Sequence, residues 1–240
     1  MNESYERLFT LTNNLFDTTD HLKLSSILDF SQEISGNHAD ILGSGYDDFI
    51  KNNLIWIVAR NHIKFIKPIS YMHNLKVITQ PLSQRFVEYP REVLIYDENN
   101  ELLCVIKTVW MVLNNKTFSV ETPYIYQNID FNNINFYDDS RLRKLAQINK
   151  DNLKFERTII VTYSMLDHNG HMNNTHYLDL YLDVFKKEND IDSIQIEYVK
   201  QAFLNDNISI YSFRDDSFNY LYGYIENDLC FYIHAKIKEL

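Results

Sequence analysis

The spacing of apolar positions changes along the chain in a regular order. Between residues 24 and 42, Leu24, Ile27, Leu28, Ile34 and Leu42 recur at helical spacing, and Gly43 follows as a stop. A short strand is predicted before this helix, over residues 6–12. After it, apolar and aromatic runs predict strands over 54–65, 75–80, 85–96 and 102–113, with the Asn- and Asp-rich stretch 97–101 as a hairpin turn. The same order then returns. A strand is predicted over 154–163, and a helix follows with Tyr177, Leu178, Tyr181, Leu182 and Phe185 on one face and Asn173 or Asn174 as its N-cap. Strands over 193–203, 208–213, 220–225 and 229–238 close the chain, the last two joined by a turn at 226–228. Residues 119–150, rich in Asn and Asp, read as a linker between the two sets. One helix laid on an antiparallel sheet, twice over, is an α+β arrangement.

The two sets also share residues. Tyr5-Glu6-Arg7 matches Phe155-Glu156-Arg157 at an offset of 150 (155 less 5), and the same offset pairs Thr12 with Thr162, Asp17 with Asp167, His21 with His171 and Leu28 with Leu178. Further on, Glu98–Cys104 echoes Glu226–Cys230 at an offset of 126 (230 less 104). Matches in one order near both ends of each set point to an internal duplication. The expected organisation is a first unit over 1–118, the linker over 119–150 and a second unit over 151–240. Two such units resemble the hotdog fold in its tandem, double form.

Composition narrows the function classes. Gly 5 and Pro 4 are low, against average usage of about 7% and about 5%, so long continuous elements are expected. Tyr 17 and Phe 15 favour aromatic-rich buried strand faces. A formal net charge of −10 argues against a nucleic-acid partner. No apolar run approaches the roughly 20 residues of a membrane-spanning helix, and Met1-Asn2-Glu3-Ser4 lacks the start of a signal peptide. Cys104 and Cys230 lie in apolar stretches and read as buried, reduced thiols, which fits a cytoplasmic location.

The densest polar run is Asp167-His168-Asn169-Gly170-His171-Met172-Asn173-Asn174, between a strand pattern and a helix start. Asp, Asn and His at i, i+2 and i+4 can accept a proton, orient substrate and transfer protons near neutral pH. A helix N-terminus nearby offers N–H groups to a developing oxyanion. The same residues fit an N-capping loop that uses Asp and Asn for turn hydrogen bonds. As metal ligands, Asp167, His168, His171 and Cys230 match no standard zinc spacing, and no metal or cofactor is expected. The chain carries no Gly-rich phosphate loop, G-x-S-x-G elbow or H-E-x-x-H helix.

Asp167-x-Asn169-x-His171-Met172-Asn173-Asn174-x-x-Tyr177 resembles the active-site segment of the acyl-acyl carrier protein thioesterases. Glu33-x-x-Gly36-Asn37-His38-Ala39-x-x-Leu42-Gly43 resembles that family's first helix, and Asn53-Leu54-Ile55-Trp56-x-x-x-Arg60 its following strand. The resemblance spans nearly the whole chain in the right order. It implies hydrolysis of the thioester between a fatty acyl chain and acyl carrier protein in fatty acid biosynthesis, with the carrier and its acyl-phosphopantetheine arm as partner. It also implies catalytic roles for Asp167, Asn169 and His171. The family's Glu on the strand after the second helix is met here by Gln201, which can position water but cannot take its proton.

The first half keeps Asp17 and His21 but has Thr19 in place of the Asn, so one active site is expected, in the second half. The first half is then the site of the acyl chain, with Ile34, His38, Ile41, Leu42, Ile55, Trp56 and Val58 as pocket candidates that also fit ordinary core packing. An acyl-CoA thioesterase on the same fold and a non-catalytic lipid-binding protein are the competing readings; Gln201 favours the latter. Arg141, Arg143 and Lys144, the densest basic run, are candidates for docking the acidic carrier or for solvating the linker. Arg85, Arg91, Lys186 and Lys187 are further basic positions. A monomer and a homodimer both fit, because a tandem hotdog already pairs internally.

Overall fold

The computed structural model describes residues 3–126, 128–186 and 191–238, so Lys187 lies outside the described residues. The chain divides into two compact units, Met1–Leu142 and Arg143–Leu240.

The first unit runs β1 (Tyr5–Thr10), α1 (Leu24–Ile41), α2 (Tyr46–Lys51), β2 (Leu54–Phe65), β3 (Asn74–Pro81), β4 (Tyr89–Tyr96), β5 (Leu102–Asn114) and β6 (Val120–Glu121). Its antiparallel sheet has the order β1-β3-β4-β5-β2, with β6 added to β5. The apolar stripe of α1 is buried as its spacing predicts, with Leu24, Ile27, Leu28 and Ile34 all but inaccessible. The helix stops where Gly43 adopts a φ of +70, a conformation glycine takes without a Cβ clash. The short helix α2, with Asp47 and Asp48 in its first turn and Lys51 in its last, has too few residues to show a period.

The second unit runs β7 (Lys154–Ile160), α3 (His176–Phe185), β8 (Ile191–Tyr198), β9 (Asn207–Arg214), β10 (Phe218–Ile225) and β11 (Asp228–Ile237). Its sheet has the order β8-β11-β10-β9-β7, again antiparallel. Tyr177 and Tyr181 carry α3 onto the sheet: Tyr177 meets the Phe231 ring edge-on at 4.8 Å, and the Tyr181 hydroxyl accepts from Asn219 at 3.0 Å. Gly223 is required where the Phe231 ring crosses β10, since a Cβ there would lie 2.0 Å from that ring. Both cysteines are free and buried, as their apolar settings predict. Among the described residues no helix is long and apolar enough to cross a membrane.

The stretch read as a linker, 119–150, is divided between the units and held by side chains of the sheet strands. In β4, Arg91 points to α1, while Glu92, on the other face, accepts the backbone N–H of Tyr137 and Asp138 at 3.0 and 3.1 Å. Lys107, opposite Glu92 in the register, reaches Asp138 at 2.5 Å and the Ser140 carbonyl at 2.9 Å. Arg60 donates to the Leu142 carbonyl at 3.0 Å. In the second unit Gln195 donates to the Arg143 carbonyl, Glu197 accepts from Leu145, and the Tyr222 hydroxyl accepts from Ile148. These polar residues sit in buried strands because the backbone crossing them has no ladder of its own to satisfy its polar groups.

Candidate active site

The duplication is visible bond by bond. After β1 and β7 come single 3-10 turns, Asn13–Leu15 and Tyr163–Met165, at the offset of 150 read in the sequence. Then Asp17 N–H donates to the His21 carbonyl at 2.8 Å, as Asp167 N–H does to that of His171 at 2.7 Å. Lys23 N–H closes on Leu15, and Asn173 N–H on Met165. Asp20 and Gly170 both take positive φ, +60 and +79. Even the ion pair from β1 to α1, Arg7 with Glu33, has its copy in Arg157 with Asp183.

Within this shared frame the two carboxylates do the same structural work. Asp17 Oδ1 accepts the backbone N–H of Thr19 and His21 at 2.7 and 3.0 Å. Asp167 Oδ1 accepts those of Asn169 and His171 at 2.8 and 3.2 Å. The turn-forming role read from the residue types is therefore real in both copies.

The side chains around the carboxylates differ. In the first copy Thr19 Oγ1 donates to Asp17 Oδ1 at 2.8 Å and lies 3.1 Å from His21 Nδ1, so the three groups satisfy one another. Burial pushes the Asp17 carboxyl up, but the His21 and Thr19 bonds outweigh it and hold it below its usual range. In the second copy the exposed Asn169 amide and the part-buried His171 imidazole make no hydrogen bond among the described residues. The His171 ring rests edge-on against Phe203 at 4.9 Å.

Gln201 lies not on a strand but in the exposed connection after β8. The predicted strand 193–203 ends at Tyr198 because Val199 and Lys200 both turn their N–H to the Cys230 carbonyl. The neighbouring Ala202 carbonyl accepts Met172 N–H at 2.8 Å, which ties the Gln201 segment to the Asp167 loop. In the first copy Ile69 accepts from Leu22, so Pro68 occupies the place of Gln201.

The first unit holds a pocket beside α1, open on one side. Gln32, Ser35, Gly36 and Ala39 form its floor at i, i+3, i+4 and i+7 of α1, with Ser44 just beyond the helix. Trp56, Arg91, Trp110 and Tyr126 supply the opposite wall. Small side chains on the helix leave room against large rings on the sheet.

Of the predicted pocket residues, Trp56 lines this space. Its indole N–H donates to the Ser44 carbonyl at 2.8 Å, and its ring stacks on Phe49 at 4.9 Å. Ile34 and Val58 are core, Leu42 packs on the Phe49 cluster, Ile55 is half-buried and Ile41 is 55% exposed. His38 is fully buried, its Nδ1 accepting from Arg91 at 2.9 Å. The polar floor of α1 leaves no signal in the sequence pattern, because only the apolar stripe repeats over the length of the helix.

Among the basic positions, Arg141, Arg143 and Lys144 are all exposed, and Arg141 also pairs with Glu88 at 3.3 Å. Arg91 is 4% exposed and offers no surface charge.

Residues 2–122 match the acyl-ACP thioesterase N-terminal domain and residues 148–228 the acyl-ACP thioesterase C-terminal domain. A chloroplastic oleoyl-acyl carrier protein thioesterase of Coriandrum sativum is 24% identical over 206 residues, 75% of this chain. The chain spans about half of that relative, 54% of its length. An acyl-ACP thioesterase from Bacteroides thetaiotaomicron superposes with a TM-score of 0.88 at 16% identity, covering 99% of this chain and 98% of the other. The 12:0-ACP thioesterase from Umbellularia californica gives 0.84 at 17% identity, covering 99% and 98%. These likenesses establish the double hotdog fold. With both domains of one family matched in order along it, the chain belongs to the acyl-ACP thioesterase family.

Proposed function

We propose that the protein hydrolyses acyl thioesters of acyl carrier protein, releasing a free acid and the carrier thiol, as a step of fatty acid biosynthesis. One observation carries this reading: two loops with the same backbone bonds differ in that the Thr19 and His21 side chains of the first bond within it, whereas the Asn169 and His171 side chains of the second make no hydrogen bond among the described residues. A loop built only to cap a helix has no use for that difference. Two buried free thiols support a reducing, cytoplasmic setting.

In this mechanism Asp167, with Oδ1 fixed by two N–H groups, takes the proton of the attacking water through its other oxygen. The Asn169 amide donates to the carbonyl oxygen as charge develops there. His171 protonates the departing sulfur, a modest demand because a thiol ionises near pH 8.5. The C–S bond breaks, the water oxygen stays on the acyl carbon, and the products are a carboxylic acid and a thiol. Gln201 holds the water without accepting its proton. The second unit supplies this chemistry and the first unit's pocket takes the acyl chain. For carrier docking, the basic run offers three exposed charges, Arg141, Arg143 and Lys144, of which Arg141 also pairs with Glu88.

The test is thiol release from octanoyl, dodecanoyl and hexadecanoyl chains, each on acyl carrier protein and on coenzyme A, with the acid identified by mass spectrometry. Faster turnover on the carrier supports the proposal, faster turnover on coenzyme A supports the other thioesterase reading, and no release from either refutes hydrolysis.

A further inference from the structure

The two copies hold their histidines by different means. His21 pairs with Ser70 in an isolated antiparallel bridge, and its Nδ1 lies 3.1 Å from Thr19 Oγ1. His171 pairs with Phe203 in a bridge of the same kind. Phe203 follows Gln201 by two residues as Ser70 follows Pro68, so it stands in the place of Ser70. Both neighbours of the histidine are therefore exchanged in the second copy: Asn169 for Thr19, and Phe203 for Ser70.

The exchange alters what the imidazole can do. In the first copy Thr19 holds the ring through one of its nitrogens. In the second the ring meets Phe203 with centroids 4.9 Å apart and planes at 79°, an edge-on contact that needs neither nitrogen for a hydrogen bond. The His171 imidazole makes no hydrogen bond among the described residues. A group that passes a proton to substrate needs both conditions together, a ring fixed in place and a nitrogen left over.

Phe203 is itself well anchored. Its N–H donates to Asp206 Oδ2 at 2.8 Å, and its carbonyl accepts from the Asp206 N–H at 3.0 Å. The Asp206 carbonyl in turn accepts the Val161 N–H at 2.9 Å. On the other side of Phe203, the Ala202 carbonyl accepts the Met172 N–H. The backbone is thus tied down under both rings. The Phe203 side of the contact nevertheless stays 48% exposed, so burial in the core gives little account of an aromatic residue here.

Resting on the thioesterase reading above, we infer that Phe203 is a positioning residue: its ring holds the His171 imidazole in the orientation that delivers a proton to the departing sulfur. An aromatic pair of this kind favours the paired rotamer by about two- to twelvefold. The same factor bounds what its loss costs in turnover.

The test compares the full chain with Phe203→Tyr, Phe203→Leu and Phe203→Ser, the last of which installs the side chain of the first copy. The substrate is a dodecanoyl chain on acyl carrier protein, read by thiol release. Phe203→Leu and Phe203→Ser are expected to lose about fivefold in kcat with little change in KM, and Phe203→Tyr to restore the native rate. A purely apolar structural role would spare Phe203→Leu. Native kcat in Phe203→Leu, or a change confined to KM, overturns the inference. The contact is measured apart from turnover by NMR of the imidazole C–H groups, the His171 signal being the one lost in His171→Gln. The Phe203 ring current is expected to displace that signal in the native chain and in Phe203→Tyr, and the displacement to vanish in Phe203→Leu. A signal that stays put in Phe203→Leu overturns the inference whatever the kinetics. A displacement that vanishes as expected, in a chain that releases no thiol, supports the contact and refutes the hydrolase reading instead.

Discussion

Asp17 and Asp167 make the same two backbone bonds, so one can serve as the structural control for the other. Replacing Asp167 by Asn keeps a carbonyl oxygen in place for the Asn169 and His171 N–H groups, at 2.8 and 3.2 Å in the native loop, and removes the charge and the basicity. The structural cost is below about 1 kcal/mol, because one good acceptor replaces another on a part-exposed loop. Replacing it by Ala strands both N–H groups and costs about 1–2 kcal/mol. For a chain of this size each kcal/mol lowers Tm by about 2–4 °C. The Asp17 variants carry similar costs, and Asp17→Ala also strands the Thr19 hydroxyl.

The kinetic effect is of another size. Loss of a general base costs about 10²–10⁴-fold, or roughly 3–5 kcal/mol in the barrier. A protein of even about 5 kcal/mol stability that loses about 2 kcal/mol stays more than about 99% folded, so unfolding cannot imitate a hundredfold drop. The assay is thiol release from carrier-bound acyl chains, with thermal melts of all four variants. Asp167→Asn is expected to lose at least about a hundredfold in kcat with a nearly native melt. Asp17→Asn is expected to melt the same way and keep its turnover. If both Asn variants lose activity alike, or if Asp167→Asn keeps more than about a tenth, the carboxylate of the second copy has no special chemical part and the reasoning fails.

Gln201→Glu places a proton acceptor beside the Asp167 loop and is expected to hold or raise kcat/KM, with a new acid limb near the carboxylate range; a folded but dead variant refutes the placement. Charge reversal at Arg143 and Lys144 is expected to raise KM for carrier-bound chains several-fold and leave a small pantetheine thioester unaffected, an equal loss on both substrates being the contrary outcome. Burial lowers the His234 imidazole from 6.5 to about 4, and Tyr222 Oη lies 2.9 Å from its Nε2. A folded-state value below the unfolded one means stability is lost as pH falls from about 6.5 towards 4, so urea midpoints at pH 7 and pH 5 should differ less in His234→Gln than in the native chain. Burial raises the Asp138 carboxyl, but the Lys107 and Ser140 bonds overcome it and bring it from 3.8 to about 2. Its stabilising effect is present above about pH 4 and lost on acidification towards 2; Lys107→Met should remove that dependence and expose residues 137–142 to proteolysis at neutral pH.

What the sequence made legible follows from which features repeat. The helix α1 and most strands announce themselves because their apolar positions recur, and Leu24, Ile27, Leu28 and Ile34 are buried as that spacing requires. Where a feature is made once, the pattern misleads. The run 85–96 looks like one strand, yet Phe86 takes a φ of +55 in a turn from Arg85 to Glu88, and β4 begins only at Tyr89. Val199 looks like a further strand residue, so the pattern carries the strand through Gln201, although β8 ends at Tyr198. Glu92, Lys107 and Gln195 break the strand pattern to hold a segment with no period of its own. The pocket leaves no apolar signature, since it is made by volume withheld at Ser35, Gly36 and Ala39.

The duplication supplies what a single copy would not. An Asp that accepts two backbone N–H groups is no sign of catalysis, for Asp17 does the same in a loop whose Thr19 and His21 are already paired off. The proposed chemistry therefore rests on what the copies do not share. The differences fall together: Thr19 against Asn169, and Pro68 against Gln201, one pair in each loop and one in the segment bonded to it. Each change replaces a satisfied or apolar side chain by an amide with no partner among the described residues. Two such changes, one in the loop and one in the segment bonded to it, over a loop backbone that both copies share, are the difference on which the proposed active site rests.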